Sequence, residues 1–361
     1  MHIPDGYLSP STCAVLYAGA VAGWYAALKR LKRALHTRMI PLISVFAAFS
    51  FVVMMFNLPL PGGTTGHALG VTISVIVLGP SGAVLAISIA LAIQALFFGD
   101  GGISTLGANC FNMAIVASLV AYASYRLIAA GAGIASKRRV VAAAIAGYLA
   151  VNAAALIAAI EFGIQPALFH DGRGMPLYAP YPLSIAVPAM MIGHLTLAGV
   201  AEAAISAGLV AYLQAADPGL LRNTAGVLPA TEAVSAIMPA ATNSLRRLWI
   251  AVALLMVLTP LGILVAGKAW GEWSPSELAM RQSAGQAASA VNNFVTPSAP
   301  PAGMQRLAKL WTAPFPAYAP TFVKSTRFGY FLSAMFAVGI MLLVSLVAQL
   351  WVQRRREVGH P

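Results

Sequence analysis

The sequence has few charged residues: 9% are Asp, Glu, Lys or Arg, and only ten of its 361 residues are acidic. Hydrophobic residues make up 59% of the chain, and the mean hydropathy is +0.80. Several near-uncharged stretches approach the roughly 20 residues that a helix needs to cross a bilayer. This composition excludes a soluble globular protein and predicts an all-α integral membrane protein.

Cysteine and catalytic motifs are equally scarce. The two cysteines, Cys13 and Cys110, have neither the spacing of metal ligands nor that of a disulfide framework, so we interpret both as helix-packing residues. The sequence contains no HExxH, no GxSxG and no nucleotide-binding signature. We therefore predict that the chain is no enzyme. If ATP drives its activity, a partner protein hydrolyses the ATP.

Acidic residues are far outnumbered by basic ones, and the net charge is +12. This excess does not indicate a nucleic-acid partner, because the basic residues form short clusters between apolar segments. By the positive-inside rule all four clusters lie in the cytoplasm, which places the N-terminus outside and the C-terminus inside. The clusters are Lys29, Arg30, Lys32, Arg33 and Arg38; Lys137, Arg138 and Arg139; Arg246 and Arg247; and Arg354, Arg355 and Arg356.

The apolar segments predict nine membrane spans, near 10–28, 39–57, 69–79, 82–98, 109–129, 140–162, 183–215, 249–267 and 328–352. The segment 69–79 is short, but it must cross if the cluster at 137–139 is to be cytoplasmic. We divide the chain into a seven-span unit at 1–216, a linker at 217–248, and a two-span hairpin at 249–361. The hairpin carries a proline-rich outer loop at 268–327.

The first eight residues, MHIPDGYL, contain a combination of nitrogen donors. No basic residue precedes an apolar core here, so we expect no cleavable signal peptide, and the bulky His2 should keep Met1 and its free amine in place. The amine, the amide nitrogen of His2 and His2 Nδ1 can close a five-membered and a six-membered chelate ring on one ion. The topology puts His67, in PLPGGTTGHALG, on the same side of the membrane. The other interpretation is that His2 is solvated and His67 is a loop residue that caps the next helix.

Met1, His2 and His67 together would provide four nitrogens, and tetragonal nitrogen coordination selects Ni²⁺ or Cu²⁺, with Co²⁺ weaker. Zinc would prefer a tetrahedron. The glycines Gly62, Gly63 and Gly66 let the backbone before His67 fold tightly.

Other polar residues are candidates for supporting roles. We expect Asp5, Asp100 and Asn109 to form hydrogen bonds with the ring nitrogens of the two imidazoles that do not bind the metal. The glycine-rich stretch FFGDGGISTLGANCFNM is predicted to be a tight turn rather than a phosphate loop. His194 and Glu202 share a helix face in the seventh span. Such residues suggest a functional role, but we favour helix packing or a subunit contact, with Glu202 toward the cytoplasm and far from the metal site.

These residues resemble a known family, the substrate-binding membrane components (CbiM/NikM) of energy-coupling-factor transporters for cobalt and nickel. The resemblance covers about residues 1–215 and rests on five stretches: MHIPDGYLSP, LPGGTTGHALG, GPSGA, DGGISTLGANCFNMA and GHLTLAGVAEAAIS. Residues 249–352 look like a fused version of the small accessory component (CbiN/NikN type), mainly by layout. In the family, that part is associated with loading the metal.

The resemblance implies that Met1, His2 and His67 hold one Ni²⁺ or Co²⁺ ion, the transported substrate, in a near-square plane. It also implies two partners in a bacterial inner membrane: a transmembrane coupling protein and cytoplasmic ABC ATPases. The expected function is capture of the ion at the outer face and delivery for ATP-driven uptake. The alternatives are a stand-alone secondary permease for the same ions, a metal-dependent membrane enzyme, or a structural assembly subunit.

Overall fold

The computed structural model describes residues 1–32, 39–60, 64–224, 240–264, 270–283, 299–320 and 322–358. The fold is almost entirely helical, as predicted. The longer helices are α1 Pro10–Lys32, α2 Met39–Met54, α3 Val71–Ile93, α4 Leu106–Ile128, α5 Lys137–Gly163, α6 Leu183–Ala216, α7 Ala240–Leu258, α8 Pro275–Ser283, α9 Ala302–Leu307 and α10 Thr326–Val358. Between α2 and α3 lies a two-stranded antiparallel ribbon, β1 Leu58–Leu60 and β2 Thr64–Gly66.

Helix α3 and the π-helical turn that follows it, Gln94–Phe98, cover most of the two segments predicted at 69–79 and 82–98. A straight helix of the 23 residues of α3 would be about 35 Å long. However, His67 and Gln94, which flank it, each lie 3.1 Å from a ring nitrogen of His2. The chain therefore folds back within α3, at Gly79, whose φ of 75° and ψ of 168° are not helical. Pro80 has no N–H to donate and so suits the start of the second arm.

The two arms of α3 confirm that 69–79 is separate from the segment that follows, whereas its complete crossing stays a prediction. Seven described helices are long and apolar enough to cross a membrane, and α2 is a shorter apolar helix. The predicted orientation of the termini also stays a prediction.

Close packing of α5 against α6 brings polar residues into the interior. One face of α5 is a stripe of buried alanines, and small residues let helix backbones approach closely. A Cβ added at Gly147 would lie 2.8 Å from Ser206 Oγ. This approach places Glu202 inside the helix bundle, with none of its surface exposed.

The C-terminal hairpin packs against α2. Ser44 Oγ donates to the carbonyl of Met341 at 3.0 Å, and Tyr330 OH donates to that of Met55 at 2.8 Å. Helix α7 begins at Ala240, within the range 217–248 assigned to the linker, and the division of the chain into two units and a linker stays a prediction. Residues 225–239 of the linker, and 284–298 of the predicted outer loop, lie outside the described residues.

Candidate metal centre

The N-terminal residues form no solvated tail, because Met1, His2 and Ile3 are buried with at most 2% of their surface exposed. Asn109 holds the main chain of Ile3 with both ends of its carboxamide: Oδ1 accepts from Ile3 N at 2.8 Å and Nδ2 donates to Ile3 O at 3.1 Å. The terminus is thus fixed within the protein, which contradicts the interpretation of His2 as a solvated residue.

The two histidines are brought together as the sequence predicts. His67 Nε2 lies 3.1 Å from His2 Nδ1, and the ring centroids are 4.9 Å apart. Of the three glycines predicted to shape the backbone before His67, Gly66 ends β2, and Gly62 and Gly63 lie outside the described residues.

Second hydrogen bonds determine which ring nitrogens carry protons. His67 Nδ1 lies 3.1 Å from the carbonyl oxygen of Ala68, and His2 Nε2 lies 3.1 Å from Gln94 Oε1. Both of these oxygens can only accept, so His67 Nδ1 and His2 Nε2 each carry a proton. Each ring therefore directs its other nitrogen toward its neighbour, and His67 Nε2 and His2 Nδ1 are the two ring nitrogens available to a cation.

A single carboxylate oxygen joins the remaining nitrogens. Glu272 Oε1 lies 2.9 Å from the N-terminal ammonium of Met1 and 3.0 Å from the main-chain nitrogen of His2, and both donate to it. The same oxygen is 4.0 Å from His2 Nδ1. The sequence analysis assigned no residue of the hairpin to the site, so Glu272 was missed.

Charge and burial set the protonation states in this cluster. Burial raises the pKa of the Glu272 carboxyl, but the nearby ammonium of Met1 and His2 outweigh this effect and lower it below the ordinary 4.5. Burial, together with the neighbouring His2 and the ammonium, lowers the pKa of His67 well below 6.5. Glu272 is therefore ionised at neutral pH, and His67 is neutral with a lone pair available.

Only one of the three predicted second partners faces an imidazole. Asp100 Oδ1 lies 3.4 Å from His2 Nδ1, while its Oδ2 accepts from Tyr318 OH at 2.5 Å. Asn109 holds the main chain instead, and Asp5 accepts from the main-chain N–H groups of Ile103 and Ser104. The prediction for Asn109 and Asp5 was wrong, because both form hydrogen bonds with the main chain near the site and not with the imidazole rings.

The predicted turn in FFGDGGISTLGANCFNM is also observed, as a bend after α3 with left-handed Gly99 and Gly101. Asn112, from the same stretch, donates to Glu161 at 2.7 Å, away from the histidines.

The sequence analysis expected Glu202 to lie far from the histidines, but the structure places it against the segment that follows His67. Its Oε2 accepts from the main-chain nitrogens of Leu69 at 2.7 Å and Gly70 at 2.9 Å, two and three residues after His67. The expectation was wrong because it considered only the position of Glu202 along its own helix. The segment after β2 folds inward and contacts α6 at this residue. His194, at a π-helical turn of α6, is buried, and its Nδ1 donates to the carbonyl of Met190 at 2.8 Å.

An open cavity of about 650 Å³ leads to this cluster. It is lined on one side by His67, Asp5 and Asp100 and on the other by residues of the hairpin, among them Glu272 and Tyr318. We call this cavity the vestibule. The sequence offered weak signals for the missed residues: Gln94 is a polar residue in an apolar run, and Glu272 is an acid between two tryptophans.

The fold and the cluster define a multi-pass helical membrane protein with a nitrogen-rich site at its buried N-terminus. Residues 2–220 match the family model CbiM, described as the cobalt uptake substrate-specific transmembrane region, and the chain belongs to this family. The fused nickel transport protein NikMN of Rhodobacter capsulatus is 51% identical over 357 residues, 99% of each chain. The full-length match includes the C-terminal hairpin, so the chain has a fused NikN-like part.

Further matches agree. The probable fused nickel transport protein LarMN of Lactiplantibacillus plantarum is 43% identical over 284 residues, 78% of this chain and 80% of that protein. A solved structure described as a truncated transition metal transporter is 50% identical with a TM-score of 0.56, and the match covers 59% of this chain and 98% of that one.

Proposed function

We propose that this chain captures one Ni²⁺ or Co²⁺ ion at the outer face of a bacterial cell membrane. The ligands are the Met1 amine, the His2 amide nitrogen, His2 Nδ1 and His67 Nε2. The ion is its transported substrate. One observation carries the proposal: two buried ring nitrogens, His2 Nδ1 and His67 Nε2, face each other at 3.1 Å.

This separation suits two neighbouring ligands of one ion. Nitrogens that bind a metal at about 2.0–2.1 Å and at a right angle to each other lie about 2.9 Å apart. The main-chain nitrogens of Met1 and His2 precede His2 Nδ1 along the chelate, and they converge on one point, now held by Glu272 Oε1. A small inward movement of the rings brings four nitrogens around one ion.

Nitrogen ligands in a square plane favour Ni²⁺, and Co²⁺ binds the same set more weakly. The names of the relatives include both metals: NikMN and LarMN are named for nickel transport, and the CbiM protein of Geobacter sulfurreducens for cobalt transport. We therefore propose both ions as substrates, with nickel bound more tightly.

Delivery across the membrane requires an energy source that this chain lacks in its sequence. We propose that it is the substrate-specific component of an energy-coupling-factor transporter, with a transmembrane coupling protein and cytoplasmic ABC ATPases as partners. The proposal is supported by the family match and by the absence of nucleotide-binding motifs from the sequence. Ion uptake by cells that lack the ATPases would favour the stand-alone permease instead.

The test of the site is metal analysis with the visible spectrum of the purified full chain, loaded with Ni²⁺ or with Co²⁺. A matched variant carries one extra residue between Met1 and His2, which changes the chelate ring size. One equivalent of a yellow, diamagnetic Ni²⁺ species in the parent, absent from the variant, is the expected result. Stoichiometric metal in the variant would place the ligands elsewhere.

A further inference from the structure

The vestibule that leads to the site is acidic. Asp5, Asp100 and Glu272 contribute carboxylates to its lining, and none of the described residues that line it is Lys or Arg. A cleft lined by charges of one sign raises the local concentration of oppositely charged ligands and increases their association rate by about 10- to 1,000-fold. The vestibule therefore favours a divalent cation over an anion.

Two of these carboxylates are engaged in ways that keep them in place. Asp5 accepts hydrogen bonds from the main chain of Ile103 and Ser104, and Asp100 accepts from Tyr318. Glu272 is different, because it accepts hydrogen bonds from the two main-chain nitrogens that would bind the ion. The His2 amide cannot donate its hydrogen to Glu272 and bind a metal at the same time, because it must lose that hydrogen to become a ligand, and the Met1 ammonium must also lose a proton before its lone pair can bind.

The segment that carries Glu272 is fixed by aromatic contacts with the N-terminal unit. Trp270 packs edge-on against Phe162, with ring centroids 6.0 Å apart. Tyr7 OH donates to the carbonyl oxygen of Trp273 at 2.8 Å. Between the two tryptophans, Gly271 has a φ of 81°, and an added Cβ would lie 3.2 Å from the Phe162 ring. The backbone of the segment is held, so the side chain of Glu272 is the part that can move.

We propose that Glu272 is a capture carboxylate: it takes the incoming divalent cation from the vestibule and, by releasing the Met1 amine and the His2 amide, opens the chelate to the ion. The inference rests on the proposed site at Met1, His2 and His67. It adds a named residue of the hairpin that acts while the ion is binding and is not a ligand of the bound ion.

The test is the rate of Ni²⁺ binding to the full chain, followed by stopped-flow quenching of tryptophan fluorescence, with equilibrium affinity measured in parallel. Two variants separate charge from hydrogen bonding. Glu272→Gln keeps an oxygen that can accept from both nitrogens but removes the charge, and Glu272→Ala removes both. We expect the association rate to fall at least tenfold in both variants, with one equivalent still bound and no loss of equilibrium affinity, so that dissociation also slows.

Glu277→Gln is the matched control. It removes the same charge from the same segment, but Glu277 accepts from Ser274 N at 2.8 Å and caps α8. We expect this variant to bind Ni²⁺ as fast as the parent.

Three results would overturn the proposal. If Glu272→Gln binds as fast as the parent, the carboxylate only positions the nitrogens or has no role. If either variant loses equilibrium affinity at an unchanged association rate, Glu272 is a ligand of the bound ion. If Glu277→Gln is slowed as much, the effect comes from net charge. In each case the proposed function would remain intact if the parent binds one equivalent of Ni²⁺ and variants of His2 and His67 do not. It would be refuted if those variants bind Ni²⁺ as the parent does.

Discussion

Gln94 determines which nitrogen of His2 faces the candidate metal position. Its Oε1 lies 3.1 Å from His2 Nε2, and its Nε2 donates to Tyr318 OH at 3.2 Å, which orients the carboxamide. Because an oxygen acceptor keeps a proton on His2 Nε2, Nδ1 is the ring nitrogen left to bind an ion. Tyr318 comes from the C-terminal unit, so the hairpin takes part in this orientation.

Removing this hydrogen bond should weaken metal binding without removing a ligand. For Gln94→Leu we expect the Ni²⁺ affinity to fall about 10- to 100-fold, with one equivalent still bound at saturation, because partners that orient a ligand have effects of this size. Isothermal titration of the purified chain measures it. Gln214→Leu is the control, since Gln214 donates to the carbonyls of Ile134 and Ser136. Unchanged affinity in Gln94→Leu would show that His2 needs no orienting partner.

The proposed ligands predict a sharper loss. His2→Ala and His67→Ala should each abolish tight binding, because each removes one imidazole from a set of four nitrogens. His170→Ala is the matched control: His170 is exposed, and its Nδ1 lies 3.2 Å from the carbonyl of Asp171. Metal analysis after desalting gives the equivalents of Ni²⁺ that each of the three variants retains. A full equivalent retained by His67→Ala would show that this ring is no ligand.

Glu202 should act on the position of His67 rather than on the ion. Glu202→Ala removes the acceptor for the N–H groups of Leu69 and Gly70, which leaves two buried donors unsatisfied. We expect Ni²⁺ affinity to fall about tenfold or more, within the range for groups that support ligands. The control is Glu161→Gln, which changes a buried carboxylate that Asn112 holds instead. Equal affinity in Glu202→Ala and the parent would mean that the loop keeps its position without this anchor.

The pH dependence of binding should reflect two protons. The amine of Met1 and the amide of His2 bind the ion only in forms without the proton that binding displaces, so the affinity should fall as the pH is lowered from 7 to 6. Protonation of His67 does not cause this fall, because its pKa lies well below 6.5 and the ring stays neutral in this range. Titrations in buffers of different ionisation enthalpy count the protons released. An affinity that does not change with pH would rule out the amide nitrogen as a ligand.

Much of the helical fold could be predicted from local patterns. Runs of apolar residues mark the helices because a backbone in lipid must satisfy its own hydrogen bonds. The pair Gly79 and Pro80 separates the two arms of α3 by local backbone preferences alone. The start of α7 at Ala240 could not be predicted, since nothing in the local composition fixes where this helix begins.

The supporting residues of the site could not be predicted in the same way. The sequence gives the position of Glu202 along α6, and that position alone predicts a large distance from His67. The inward path of Leu69 and Gly70 depends on how α3, α5 and α6 pack, which the sequence does not show. Asn109 was assigned to an imidazole, although its carboxamide matches the main chain of Ile3. Residue types predict hydrogen-bonding capacity, and only packing selects the partner.

The sequence by itself determined that this is a helical membrane protein, because hydropathy is a local property of the chain, and it predicted a chelate at Met1 and His2 with His67 on the same side of the membrane. The tertiary structure decided that Gln94 orients His2 and that Glu272, 271 positions from Met1, holds the N-terminal nitrogens. Those contacts join segments far apart in sequence, and they exist only because the hairpin packs on α2 and its aromatic segment closes over the buried terminus.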